Sequence, residues 1–235
     1  QLHAYGDNRQ LLLTRDVTAL AQADAMRRDF VANVSHEIRT PLTVLSGFIE
    51  TLQTLDLQAD ERVKYLELMA TQAGRMQGLV SDLLTLSQLE GSPLPQMIEN
   101  FSVAELMVSA EAEARGLSET NAAGSPLSQH LSFVQSADWR LVGSRHEIYS
   151  AVTNLVNNAV RYTPLDGQII CTWMLLPDQR LQFSVQDTGP GIAPEHLPRL
   201  TERFYRVDRS RSRESGGTGL GLAITKHVMQ RHGGS

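Results

Sequence analysis

Residues 30–42 read Phe-Val-Ala-Asn-Val-Ser-His-Glu-Ile-Arg-Thr-Pro-Leu, and the fold turns on this stretch. Its apolar residues belong to a longer stripe. Phe30, Val34, Ile38, Leu42, Leu45, Ile49 and Leu52 step by four or three, the spacing of one helix face. A polar break follows at 56–60. Leu66, Met69, Ala73, Met76, Val80 and Leu83 then alternate steps of three and four, which is a heptad seam. Two long helices with a short connection predict an antiparallel helical hairpin. A single hairpin has a narrow seam and little to cover it, so a second copy of the chain is expected to complete a four-helix bundle, making the protein a homodimer.

Upstream of the hairpin, 9–18 (RQLLLTRDVT) is a short strand-like run that passes into polar residues. Downstream, the Gly-Ser-Pro-Leu-Pro of 91–95 reads as a linker. Beyond about residue 99, helical and strand patterns mix. Helices are expected over 103–115, 147–162 and 220–230, with a polar loop at 118–127. Short strands are expected at 131–134 and 139–142. A hairpin is expected from 168–176 and 181–185 around Pro-Asp-Gln. Helices packed on one face of a sheet make this part an α+β sandwich, so the chain reads as multi-domain, an all-α hairpin followed by α+β.

Composition narrows the function classes. The 235 residues are 41% hydrophobic and 20% charged, as in ordinary folded domains. The net charge of −5 and the lack of a basic stripe argue against nucleic-acid binding. Cys171 is the one cysteine, which excludes an intrachain disulfide and a CxxC site; it sits in an apolar run and reads as strand filler. The other histidines, His3, His130, His146, His196, His227 and His232, lack metal-ligand spacing and read as surface or packing residues. No apolar run reaches the ~18–20 residues of a membrane span. The opening residues do not resemble a signal peptide, and both ends look like cuts from a longer chain.

Chemistry is concentrated at His36. It lies two residues past Val34, roughly 200° around the helix from the apolar stripe, and so faces water. A neutral imidazole nitrogen can attack phosphorus near neutral pH. Glu37 is placed to hold the ring's tautomer and accept its proton. Thr40, one turn on, has a hydroxyl suited to orienting a water for hydrolysis. Pro41 leaves the Glu37 carbonyl without its helical donor, so a bend is expected just past the histidine. A lone histidine on a coiled-coil face would be a surface residue; the nucleophile, acid, hydroxyl and mid-helix proline together point to catalysis.

Four weaker signals follow in order. Asn154 and Asn158 share one face of the expected 147–162 helix, and their neutral amide oxygens suit Mg²⁺ when phosphates and water complete its shell. On the same segment Arg161 can reach a phosphate and Tyr162 can pack on a base. Asp187, Gly189 and Gly191 (Asp-Thr-Gly-Pro-Gly) follow a strand, where a carboxylate can accept from an adenine amino group and the glycines let backbone pass a flat ligand. Gly216, Gly217, Thr218, Gly219, Leu220 and Gly221 open the last helix, whose N-terminus favours phosphate. No Gly-Lys-Ser/Thr makes this a Walker A loop, and no first strand makes it a Rossmann turn. Between them, 202–208 (ERFYRVD) with Arg203, Arg206, Arg209, Arg211 and Arg213 suggests a lid that screens phosphate charge.

Taken together, SHEIRTPL, the Asn-rich helix, DTGPG, the aromatic/Arg segment and GTGLGL resemble the H, N, G1, F and G2 boxes of bacterial sensor histidine kinases. The resemblance spans about residues 9 to 235. It implies His36 as the phosphate-carrying residue, Glu37 as the acid that assists autophosphorylation and Thr40 as the phosphatase residue. It implies ATP and Mg²⁺ as cofactors, with Asn158 as metal ligand and Asn154 beside it. Asp187 would meet adenine, while Arg161, Thr218 and the glycines would meet the phosphates. RRDFVANVSHEIRTPLTVLSGF and the segment from PEHLPRLTERFYRVD to ITKHV are similar to the phosphate-regulon sensor kinases. That subgroup implies a PAS domain and membrane helices upstream, an OmpR-type response regulator with a receiver aspartate as partner, and placement as the cytoplasmic portion of an inner-membrane protein. The expected organisation is 1–23, tail of a PAS domain and signalling linker; 24–92, dimerisation and phosphotransfer hairpin; 93–98, linker; 99–235, ATP-binding domain, expected to lack its last strands. Two other readings stand beside a kinase: an ATP-driven clamp, against which the upstream histidine helix argues, and a nucleotide-binding dimeric scaffold or inactive truncated kinase.

Overall fold

The computed structural model describes residues 2–4, 10–12, 18–95, 99–207 and 217–235. The chain forms two compact units, residues 1–72 and 73–235. The first opens with β1 (Leu2–Ala4) and β2 (Gln10–Leu12), paired antiparallel. Helix α1 (Thr18–Thr54) and helix α2 (Ala59–Gly91) follow, so α2 starts in the first unit and ends in the second. α1 carries on through Pro41. Around the proline, the hydroxyls of Ser35, Thr40 and Thr43 donate to the carbonyls of Val31, His36 and Arg39, giving these polar side chains helical partners.

The connection between the helices is short, as the break at 56–60 predicts. The Glu61 carboxylate accepts from the Gln58 backbone N–H at 3.0 Å, half of a capping box at the start of α2. Phe48 and Tyr65 meet edge to face, 5.6 Å between centroids, and tie the two helices near the turn. The apolar seam is only partly covered. Leu42, Ile49 and Leu66 stay exposed, Leu66 at 56%. Among the described residues no helix is long and apolar enough to cross a membrane.

The second unit is an α+β sandwich. Its three-stranded sheet has the order β4 (His130–Gln135), β6 (Gln168–Leu175), β7 (Leu181–Asp187), with β4 parallel and β7 antiparallel to β6. β3 (Asn100–Ser102) pairs antiparallel with β5 (Arg140–Val142) in a separate ribbon. Helices α3 (Val103–Asn121) and α4 (Arg145–Tyr162) share the core with β6. In β6, alternate residues Ile169, Cys171 and Trp173 are buried, the two-residue period of a strand with one face covered. In α3, Val103, Leu106, Met107, Ala110 and Ala114 make the matching stripe. Helix α5 (Gly221–Arg231) buries Ala223, Ile224 and Val228.

In the second unit, α3 and β3 differ from the sequence expectation. α3 runs six residues past the expected end at 115, because its buried stripe continues to Ser118 and outweighs the helix-weakening Gly116. β3 was not expected; three residues carry too little periodicity, and Phe101 is buried through tertiary pairing opposite Leu141. Two serines fix the helix starts that position the site. Ser102 Oγ accepts from the N–H groups of Ala104 and Glu105 at the head of α3, and Ser144 Oγ accepts from that of Glu147 at the head of α4.

Candidate functional site

His36 is exposed on α1, opposite the half-buried Val34 and Ile38, as its place off the apolar stripe requires. Glu37 beside it is half-buried. Thr40 is exposed one turn later and donates its hydroxyl proton to the His36 carbonyl at 3.1 Å, leaving the oxygen's lone pairs outward. The three residues thus share one stretch of helix surface.

The second unit contains a cavity of about 900 Å³, the size class of small-molecule sites. Helix α4 supplies Asn154, Asn157, Asn158, Arg161 and Tyr162 to its wall, and the end of β7 with the following turn supplies Asp187, Pro190, Gly191 and Ile192. The aromatic segment adds Tyr205, Arg206 and Val207, and the glycine loop adds Gly217, Thr218, Gly219 and Gly221. Nearly all the residues singled out in the sequence after position 150 therefore meet around one space. Two do not line it. Leu220 is fully buried beneath the loop, where only its N–H reaches Thr218 Oγ1, at 3.2 Å. Gly189 is a backbone device: its N–H donates to Asp187 Oδ1 at 2.8 Å, and a Cβ there would lie 2.9 Å from the Tyr162 carbonyl. Asp208, Arg209, Arg211, Arg213 and Gly216 lie outside the described residues.

The loop is shaped by close backbone approach. Gly219 has φ +73°, and a Cβ on it would meet the Phe204 backbone at 3.0 Å. The Phe204 N–H donates to the Gly219 carbonyl at 2.8 Å. Phe204 itself has φ +62°, a left-handed conformation that an aromatic residue adopts only where its surroundings impose it. The Arg206 guanidinium donates to the Gly217 carbonyl. A Cβ on Gly221 would lie 2.7 Å from Asn154 Oδ1, so a side chain there would push the Asn154 amide aside. Tyr205 is held by the His196 imidazole at 2.7 Å, with the Arg199 guanidinium 4.3 Å over its ring. His196 is thus a packing residue of the cavity wall.

Side chains behind α4 fix its orientation. Glu113 of α3 accepts from Asn157 Nδ2 at 2.8 Å and from the Tyr149 hydroxyl at 2.9 Å. Burial, with the Glu113 carboxylate adding to it, pushes the Tyr149 phenol up to about 12. Buried Gln129 donates to the carbonyls of Val160 and Thr163 at the end of α4, beside Arg161 and Tyr162.

Sequence reasoning missed one wall. Gly74, Arg75, Gly78 and Asp82, from the C-terminal half of α2, also line the cavity. Asp82 Oδ2 accepts from the Thr218 hydroxyl at 2.6 Å. Burial pushes the Asp82 carboxyl above its usual range, while the Thr218 hydrogen bond and the Arg161 charge pull it down. The missed signal was legible as a second apolar series, Leu79, Leu86 and Leu89, offset from the heptad seam. All three are buried in the second unit. Beyond them, Glu90 pairs with Arg203, and Arg231 donates to the carbonyls of Leu89, Ser92 and Pro93 while gripping Glu147 at 3.0 Å.

The site is that of an ATPase-like domain following a histidine-bearing hairpin, and comparison with known proteins agrees. Residues 26–92 match the His Kinase A (phospho-acceptor) domain. Residues 143–235 match the histidine kinase-, DNA gyrase B- and HSP90-like ATPases. With both domains in this order over most of its length, the chain belongs to the sensor histidine kinases. Within that family it resembles the phosphate-regulon sensors. It is 49% identical over 231 residues to the phosphate regulon sensor protein PhoR of Pseudomonas aeruginosa, matching 97% of this chain and 50% of that protein. The chain spans about half the length of the curated relatives it matches. Among solved structures, Acinetobacter baumannii histidine kinase AdeS is similar with a TM-score of 0.59 at 26% identity, over 83% of this chain and 86% of that one. Full-length ShkA in complex with AMPPNP is similar with a TM-score of 0.58 at 26% identity, over 88% of this chain and 42% of that one.

Proposed function

We propose that the protein is a sensor kinase that transfers the γ-phosphoryl group of ATP to His36 and passes it to a receiver aspartate of a response regulator. The observation that carries this reading is an exposed His36, flanked by Glu37 and Thr40, in a chain whose second unit encloses an Asn-, Gly- and Arg-lined cavity. A neutral imidazole nitrogen of His36 forms the new N–P bond as the bond to the ADP oxygen breaks. Glu37 takes the ring proton. In the cavity, Asp187 receives the adenine amino group, Tyr162 packs against the base, and Arg161, Arg206, Thr218 and the backbone of Gly217, Gly219 and Gly221 face the phosphates. Gly189, Gly191 and Leu220 contribute as backbone. The amide donor set of α4 fits Mg²⁺: Asn158 would hold it with Asn154 beside it, and the ion would neutralise phosphate charge. Thr40, exposed one turn from His36, would position a water to hydrolyse the regulator's acylphosphate, giving free carboxylate and inorganic phosphate.

The uncovered seam at Leu42, Ile49 and Leu66 supports a homodimer built on the hairpin. Likeness to the phosphate-regulon sensors supports a role in phosphate-starvation signalling, with an OmpR-type regulator as partner. The same likeness supports a PAS domain upstream, for which β1 and β2 would be the tail, and a place on the cytoplasmic side of the inner membrane. The proposed organisation is 1–23, 24–92, 93–98 and 99–235 in those roles.

The test is a chase. The chain is labelled with γ-labelled ATP and Mg²⁺, freed of nucleotide, and mixed with an isolated OmpR-type receiver domain. The label is expected to leave the kinase and appear on the receiver as an acylphosphate. A chain that takes up no label, or keeps it in the presence of every receiver tried, contradicts the reading.

A further inference from the structure

We infer that Asp82 is a charge gate of the nucleotide site, competing with nucleotide phosphates for the Thr218 hydroxyl and the Arg161 guanidinium. This rests on reading the cavity as the ATP site and adds to it a residue from the hairpin helix.

The argument begins with α2. Gly74, Gly78 and Asp82 recur every four residues, so one helical stripe faces the cavity. Two glycines on that stripe put no side chain into the cavity, and the third position brings a carboxylate to its wall. Below it the helix is held down by buried Leu79, Leu86 and Leu89, by the Glu90–Arg203 ion pair and by Arg231, which donates to the carbonyls of Leu89 and of Ser92 and Pro93 just past its end.

The chemistry at Asp82 conflicts with a polyphosphate. A threonine hydroxyl has one proton to donate. That of Thr218 goes to Asp82 Oδ2 at 2.6 Å, while its oxygen accepts from the Leu220 N–H at 3.2 Å. With Asp82 in place, Thr218 has no proton left for a phosphate oxygen. Arg161, the cation at the end of α4, also acts on the Asp82 carboxylate. An incoming phosphate therefore meets a like charge at the groups meant to receive it, and in a partly desolvated cavity such repulsion is much larger than in water. Nucleotide and docked Asp82 exclude one another. Binding exchanges the carboxylate for phosphate at Thr218 and Arg161, and loosens the α2 wall. Nucleotide occupancy is thus communicated to the helix that leads back into the hairpin.

The gate discriminates by phosphate charge, so the penalty grows from AMP to ADP to AMPPNP. The experiment is titration calorimetry of the whole chain with these three ligands, with Mg²⁺ present, for wild type, Asp82→Asn and Asp82→Ala. Asparagine keeps an amide oxygen to accept from Thr218 and removes only the charge. Asp82→Asn is expected to tighten AMPPNP at least tenfold, since one like charge a few ångströms away is worth nearly that much even at the dielectric of water, and to change AMP little. Asp82→Ala should match or exceed that gain. Equal or weaker AMPPNP binding in Asp82→Asn with an unchanged melting temperature overturns the proposal, since a carboxylate that helps bind nucleotide is no gate. A uniform gain across all three ligands overturns it too. Should the variants not fold, hydrogen exchange on the wild type decides: AMPPNP is expected to deprotect residues 79–90, and unchanged or slower exchange there contradicts the gate. If wild type binds no adenine nucleotide, the ATP reading itself fails and the gate falls with it, a result distinct from normal binding without a charge effect.

Discussion

The stretch around His36 and the cavity of the second unit are built in opposite ways. His36, Glu37 and Thr40 lie within five consecutive residues of one helix, His36 and Thr40 exposed and Glu37 half-buried. The cavity draws on α4, the end of β7 with its turn, the aromatic segment, the glycine loop and part of α2, each contributing at least three residues. A local site can lose its function without losing stability. A site assembled from five elements ties the two together, since its residues also hold those elements in place.

The largest expected effect tests the local side. His36→Gln should reduce phosphorylation to background while leaving nucleotide affinity and melting temperature unchanged, read by label uptake, calorimetry and a thermal melt on the same preparation. A drop in stability would mean that the histidine is structural and would break the comparison. The next effect tests the assembled side. Arg231 is almost fully buried and joins Glu147 to three carbonyls at the end of α2. Arg231→Ala should cost about 3 kcal/mol in urea unfolding, mostly from leaving Glu147 and those carbonyls unpaired. Gly219→Ala should show both losses at once. Its left-handed φ and its 3.0 Å approach to Phe204 predict about 1–3 kcal/mol of destabilisation and roughly tenfold weaker nucleotide binding. Unchanged affinity in a destabilised variant would separate the loop's packing from its binding.

The smallest effect is a pH dependence. Burial holds His227 below the ordinary histidine value; Glu90, 3.4 Å away, pulls it up, and Arg203, Lys226 and Arg231 pull it down. Because the folded value is the lower one, the unfolded chain binds the proton first. Stability is fully present above the ordinary histidine pKa and is lost as pH falls from there through the lowered value. Melting temperatures from about pH 8 down to about pH 5 should fall, and His227→Gln should flatten the slope. No difference between the two slopes would remove His227 from the account.

The same contrast explains what was legible in the sequence. The helices of the hairpin, the break between them and the exposure of His36 follow from periodicity within one segment. Asn154, Asn158, Arg161, Asp187 and the glycines were found because their residue types and order are informative. Cys171 reads as strand filler and lies fully buried in β6, its thiol pushed up to about 12 by burial. β3 and the last turns of α3 were missed because tertiary burial of Phe101 and Ser118 decides them, against weak local signals. Asp82 was missed for a deeper reason. Periodicity assigned α2 a single seam, whereas the helix has a second face whose partners, Thr218 and Arg161, are far away in sequence. His196 reads as a surface or packing residue, and its bond to Tyr205 decides for packing.

The central claim is that the two sites make one phosphohistidine. After incubation with ATP and Mg²⁺, the chain is analysed by phosphorus NMR and by peptide mapping under alkaline conditions that preserve N–P bonds. The account predicts a single acid-labile phosphoramidate, mapped to His36 and lost in Asn158→Ala as well as in His36→Gln. Acid-stable phosphate on a serine or threonine, or label on His36 that survives loss of Asn158, would contradict it.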